Sequence, residues 1–180
     1  MIPKPGKKLQ IENLGPISLT SCLGKLYERI VKRRIQTHLE DEGWYPNTMF
    51  GFRANLSTQD VLLQLKEEVL ETMPKQGENV MAVDIKGAFD VSHAAIMEGL
   101  NTTNCGKKIH DYVRSFLTNR TATVGLGDLW SDTFSTPSKG TPQGSVISPI
   151  LFNTAIINLA KKLSRIQGIN HAMYADDITI

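Results

Sequence analysis

The stretch His171-Ala172-Met173-Tyr174-Ala175-Asp176-Asp177-Ile178-Thr179-Ile180 decides the fold. Two strand-prone runs flank Ala175-Asp176-Asp177, so the segment reads as a β-hairpin with carboxylates at its tip. A second run, Val80-Met81-Ala82-Val83-Asp84, reads as a short buried strand that also closes on an acid, and Asp90 follows shortly after. Buried strands seldom end in carboxylates without a reason. If the two strands lie side by side in one sheet, Asp84 and Asp176 converge, with Asp177 beside them, into a hard oxygen donor set suited to Mg²⁺. Two such ions would activate a hydroxyl nucleophile and stabilise the leaving group of an in-line phosphoryl displacement. Taken singly, each acid has a plainer reading as a solvated turn residue, because Asp hydrogen-bonds its own backbone in turns.

Helices fill the space between the acidic strands and precede the first of them. Leu23, Leu26, Tyr27, Ile30, Val31, Ile35 and Leu39 recur at helical spacing, with Thr20 or Ser21 as cap and Gly43 as stop. Lys25, Arg29, Lys32, Arg33 and Arg34 occupy much of the other face. Ser57 and Asp60 form a capping box ahead of Val61, Leu62, Leu65 and Val69, and Pro74, Gly77 and Asn79 end that helix. A further helix starts near Ser92, and another carries Ile109, Tyr112, Val113, Phe116 and Leu117. TATVGLG and the stretch from Thr133 to Thr136 are expected to pair as a hairpin. After the loop TPSKGTPQGS, a helix from about Ser148 tolerates Pro149 in its first turn and turns Leu151, Ala155, Ile156, Leu159 and Leu163 inward. This mixed order of elements predicts an α+β architecture.

Bulk properties narrow the field less. The chain has 180 residues, of which 41% are hydrophobic, enough for one compact domain or two tightly joined subdomains. Its formal charge is only +2, so any affinity for nucleic acid must come from the local basic cluster on the first helix, whose plainer reading is a solvated face. Cys22 and Cys105 sit in unrelated segments without metal-ligand spacing, which argues against a zinc site or a disulfide framework. No apolar run is long enough to span a bilayer, and the opening MIPKPGKK lacks the apolar stretch of a secretion signal. The expectation is a soluble intracellular protein of the cytoplasm and nucleus.

In chain order, the segments resemble the successive blocks of reverse transcriptases over nearly the whole length. GPISLTSCLGKLYERIV at 15–31 resembles the first block and MFGFRANLSTQD at 49–60 the second. AVDIKGAFD at 82–90 resembles motif A, GTPQGSVISPILFN at 140–153 motif B, and MYADDITI at 173–180 motif C. The wording is most similar to non-LTR, LINE-type retrotransposon enzymes. The resemblance implies a right-hand polymerase palm, an antiparallel sheet with helices on one side, over residues 79–180, preceded by a lead-in and helical fingers region over 1–78. It implies Asp84, Asp176 and Asp177 as catalytic, metal-binding acids for two Mg²⁺. Phe89, five residues after Asp84, matches the ring that excludes a ribose 2′-hydroxyl, and Arg53 matches a residue that reaches the triphosphate. Gln143 and Gly144 match the turn against the nascent base pair. Lys25, Arg29, Lys32 and Arg33 are expected on the RNA template, contacting phosphate rather than base. The implied partners are an RNA template, a DNA primer and deoxynucleoside triphosphates.

Two positions depart from the family pattern. Gly15 stands where an Arg usually precedes Pro-Ile-Ser-Leu, which predicts weaker binding, and one residue is missing after Asp90, which turns the following helical phase by about 100°. No thumb or primer-gripping hairpin follows motif C within the chain, so the expectation is a fragment of a longer reading frame or a decayed copy, inactive alone. Two other classes of function compete. A non-catalytic RNA-binding remnant would use the basic helix alone, and an unrelated two-aspartate nuclease would leave GFR and GTPQGS unexplained.

Overall fold

In the computed structural model, residues 2–3, 6, 10, 14–15, 17–72 and 80–180 are described. A short antiparallel pair, β1 (Ile2–Pro3) with β2 (Leu14–Gly15), precedes α1 (Cys22–Asp41) and α2 (Thr58–Thr72). β3 (Ala82–Asp84) leads through a 3₁₀ turn at Ala88–Asp90 to α3 (His93–Thr102) and α4 (Lys107–Leu117). β4 (Thr121–Ala122), β5 (Gly125–Leu126), β6 (Leu129–Trp130) and β7 (Phe134–Ser135) follow, then α5 (Ser148–Leu163), β8 (Ala172–Tyr174) and β9 (Asp177–Thr179). The architecture is α+β, as expected. The boundary expected near residues 74 to 79 lies outside the described residues, as does the side chain of Val69.

The local signals act where the residues place them. Ser21 Oγ accepts from the Gly24 N–H at 3.0 Å and Ser92 Oγ from the Ala95 N–H at 3.1 Å, each satisfying an orphan donor at a helix start. Ser57 N–H donates to Asp60 Oδ2 at 2.7 Å, half of the capping box. Gly43, at φ +62, ends α1. Pro149 sits in the first turn of α5. TATVGLG does fold back on the stretch after it: β4 pairs with β7, and an inner pair, β5 with β6, closes the tip.

The sheet that bears the acids has the order β3-β9-β8, all antiparallel. A fourth backbone segment extends it at the β8 edge. Phe50 N–H donates to Met173 O at 2.9 Å and Met173 N–H to Thr48 O at 2.8 Å, in a parallel bridge that periodicity did not suggest. α5 lies at the centre of the core: Ile150, Leu151, Phe152, Ile157 and Ala160 are buried, and α3 packs across it. The crossing is tight, because a Cβ on Gly99 would meet Thr154 O at 2.2 Å.

Several residues expected inside lie outside. Only Val31, Ile35 and Leu39 of the α1 apolar set are buried; Leu23, Leu26, Tyr27 and Ile30 are exposed, because the buried seam runs back from Val31 to Glu28 instead. Leu62 and Leu159 are exposed as well. The stretch Val80 to Asp84, expected to be a buried strand, forms a strand only over Ala82–Asp84 and is open to solvent; among the described residues β3 lies at the edge of its sheet, paired with β9 alone. The residue missing after Asp90 leaves α3 in working phase, with Ile96, Gly99 and Leu100 facing the core.

Candidate active site

Pairing of β3 with β9 sets Asp84 directly opposite Asp177. Met81 and Ile180 exchange both main-chain hydrogen bonds, and Ile85 N–H donates to Asp176 O at 2.9 Å. Counting along the ladder, Asp84 and Asp177 form a non-hydrogen-bonded pair, the kind in which Cα atoms approach to about 4.5 Å and side chains come closest. Like charges in that position repel. A divalent cation relieves the repulsion, and the donor set is all carboxylate, so these residues fit a hard ion such as Mg²⁺. Asp176 occupies the two-residue turn between Tyr174 and Asp177, after Ala175 at φ +56, the sign that primed hairpin turns require. Among the described residues no three His, Cys, Asp or Glu side chains gather around one point. Asp84 and Asp177 are the pair that the backbone itself brings together.

The hairpin tip has a backstop. A Cβ built on Gly51 would meet Ala175 N at 2.2 Å and Ala175 Cα at 3.0 Å, so only glycine allows this chain segment to run behind the turn. Asn153, buried on α5, donates from Nδ2 to Gly51 O at 2.8 Å and fixes that approach. The next residue, Phe52, holds φ +58, a costly value for a bulky side chain. Asn153 closes the stretch 140–153 that resembles motif B, but the resemblance gave it no role; its bond to Gly51 follows from the α5 packing.

Motifs A and B are joined by main chain. Thr141 N–H donates to Phe89 O at 2.9 Å, Gly140 N–H to Val91 O at 2.8 Å, and His93 Nε2 to Gly140 O at 2.9 Å. These bonds place Phe89 across from the Pro142–Gly144 turn, around a cavity of about 240 Å³ that Ser148 and Pro149 also line. Phe89, Gln143 and Gly144 therefore line one cavity. The Phe89 ring also packs on Phe152 and Phe52, with centroids 6.2 and 6.3 Å away, so the core reading of this residue is true of part of its surface.

Arg53 does not line that cavity. Its guanidinium folds back onto Glu40, Nε to Oε1 at 2.9 Å and Nη2 to Oε2 at 2.6 Å, while Nη1 donates to Met49 O at 2.8 Å. It also lies 4.7 Å over the ring of Tyr45, whose phenol burial pushes up to about 12. With these bonds Arg53 braces the loop that carries Gly51 behind the acidic turn. Its fork of donors suits that bidentate bond.

The basic residues of α1 divide. Arg29, Lys32 and Arg33 line a groove of about 540 Å³, together with Ala54 and Val146, and Glu40 and Asp41 close its far end. Lys25 lies outside the groove, half-buried.

The sequence matches the reverse transcriptase (RNA-dependent DNA polymerase) family over residues 2–180. This chain is a reverse transcriptase family member. It is 30% identical to the probable RNA-directed DNA polymerase from transposon BS of Drosophila melanogaster, over 100% of this chain and 20% of that protein. It is 30% identical to the RNA-directed DNA polymerase from mobile element jockey of Drosophila funebris, again over 100% of this chain and 20% of the relative. A third relative, the Pol polyprotein from the type-1 retrotransposable element R2 of Popillia japonica, is 26% identical over 100% of this chain and 25% of its own length. The relatives are LINE-type, non-LTR enzymes. The chain thus spans about a fifth to a quarter of the length of these reverse transcriptase relatives. In fold it is similar to the apo telomerase of Candida tropicalis truncated from its C-terminal domain, with TM-score 0.60 and 14% identity, over 87% of this chain and 34% of that one.

Proposed function

We propose that the chain is the fingers and palm of an RNA-directed DNA polymerase that adds deoxynucleotides to a DNA primer 3′-end on an RNA template. On this reading residues 1–78 are a lead-in and fingers region and 79–180 a partial palm. The observation that carries this reading is the register of β3 and β9, which opposes Asp84 and Asp177 at the narrow pair of the ladder.

Asp84 and Asp177, with Asp176 in the turn beside them, would hold two Mg²⁺, which supply activation of the 3′-hydroxyl and charge neutralisation at the transferred phosphate. The cavity between Phe89 and the Gln143–Gly144 turn takes the sugar and base of the incoming nucleotide. The Phe89 ring excludes a 2′-hydroxyl there, because a filled volume rejects the extra atom. Arg29, Lys32 and Arg33 bind template phosphates along the groove, an affinity that falls steeply with salt.

Primer extension in a full-length context, with Mg²⁺ and deoxynucleotides on a poly(rA) template, tests the reading. Extension that needs both template and Mg²⁺ supports it. Degradation of the nucleic acid without extension points to a nuclease, and salt-sensitive RNA binding without extension points to a non-catalytic remnant.

A further inference from the structure

Glu28 has no part in the site described so far. It lies on α1 among Lys25, Arg29 and Lys32, yet it is only 3% exposed. Its Oε2 accepts from Ser145 Oγ at 2.6 Å, from Val146 N–H at 2.6 Å and from Ile147 N–H at 3.3 Å. A buried charge of this kind is tolerated only when it is hydrogen-bonded. The bonds have a consequence for α5, whose cap residue Ile147 offers no side-chain bond of its own. Glu28 supplies from another helix the negative group that a helix N-terminus favours.

The same bonds fix the wall of the cavity. Ser145 N–H and Ser148 Oγ both donate to Pro142 O, at 3.1 and 3.0 Å, which closes the Pro142–Ser145 turn. Ser18 N–H donates to Gln143 O at 2.7 Å, and a Cβ on Gly144 would meet Ser18 O at 3.0 Å. The turn is therefore held between Ser18, just before α1, and Glu28 within it. We infer that Glu28 is a positioning residue that ties α1 to the Gln143–Gly144 wall, so that the seating of the incoming nucleotide depends on the placement of the helix that lines the basic groove. This rests on the cavity being the nucleotide site, as proposed above.

The test compares Glu28→Gln, which keeps size and one accepting oxygen but removes the charge that strengthens the three bonds, with Ser145→Ala, which removes one of the bonds and leaves no charge unpaired. Steady-state dNTP kinetics in a full-length context are read alongside amide hydrogen exchange at Val146 and Ile147. Glu28→Gln is expected to raise the dNTP KM about tenfold with kcat within about twofold, to leave RNA affinity unchanged, and to speed exchange at both amides. Ser145→Ala should shift KM the same way, by about threefold. A kcat that falls with the folded fraction while KM stays put in both variants overturns the inference, since a merely structural carboxylate does that. Wild-type protein that does not extend at all overturns the polymerase reading instead. Exchange at Val146 and Ile147 is read independently of activity, and unchanged exchange in Glu28→Gln overturns the clamp.

Discussion

Gly51→Ala places one methyl group where no side chain can move aside. The new Cβ meets Ala175 N at 2.2 Å, Ala175 Cα at 3.0 Å and Tyr174 C at 3.1 Å, all main-chain atoms of the acidic hairpin. Gly51 does not have a positive φ, so alanine is acceptable to its own backbone and the whole effect is steric. Ordinary contact requires the turn to retreat by roughly 1 Å, and a displacement of that size at reacting groups costs on the order of a hundredfold in rate. The overpacking costs about 1–3 kcal/mol of stability. In a domain of this size that lowers the melting temperature by roughly 2–12 °C. Extension assays in a full-length context should show kcat down about a hundredfold, with RNA binding preserved and a modest loss in thermal melting. Activity within threefold of wild type with unchanged melting would refute both the contact and its bearing on catalysis.

Phe89→Ala should admit ribonucleotides, read as a fall in the ratio of dGTP to rGTP incorporation. An unchanged ratio returns the ring to its packing role against Phe52 and Phe152. Cys22 is exposed, whereas burial pushes the Cys105 thiol above its ordinary range, against the lowering influence of the Thr103 hydroxyl. A thiol reagent near pH 7.5 should therefore modify one cysteine quickly and the second only on unfolding. Two equal rates would contradict the packing of Cys105.

Much of the fold was legible because its signals are local. The caps at Ser21 and Ser92, Pro149 in the first turn of α5 and the hairpin around Ala175 each need only a few neighbouring residues. The acidic pair was legible as two strand ends, but the sequence could not say that Asp177 rather than Asp176 stands opposite Asp84, since register depends on both strands together. Other features depend on distant partners. Glu28 reads as one charge in a charged helix until Ser145 arrives from 117 positions away. The bridge from Thr48 and Phe50 to Met173 uses main chain alone and has no residue signature. Arg53 carries the chemistry for a phosphate and for a carboxylate alike, and its pairing with Glu40 depends on the placement of α1. Hydrophobicity likewise marked Val83 as a strand residue without revealing that it lies exposed on an edge strand, and marked Val80, which lies outside that strand.

On the proposed reading, the opposed carboxylates on β3 and β9 perform the chemistry. The most direct test is DNA primer extension on an RNA template by Asp84→Asn in a full-length context, with RNA affinity measured in parallel. The substitution keeps the size of the side chain and removes the charge that would ligate Mg²⁺. Extension should fall about a hundredfold or more while the RNA dissociation constant stays within about twofold. Extension retained at near wild-type rate by Asp84→Asn would contradict the account.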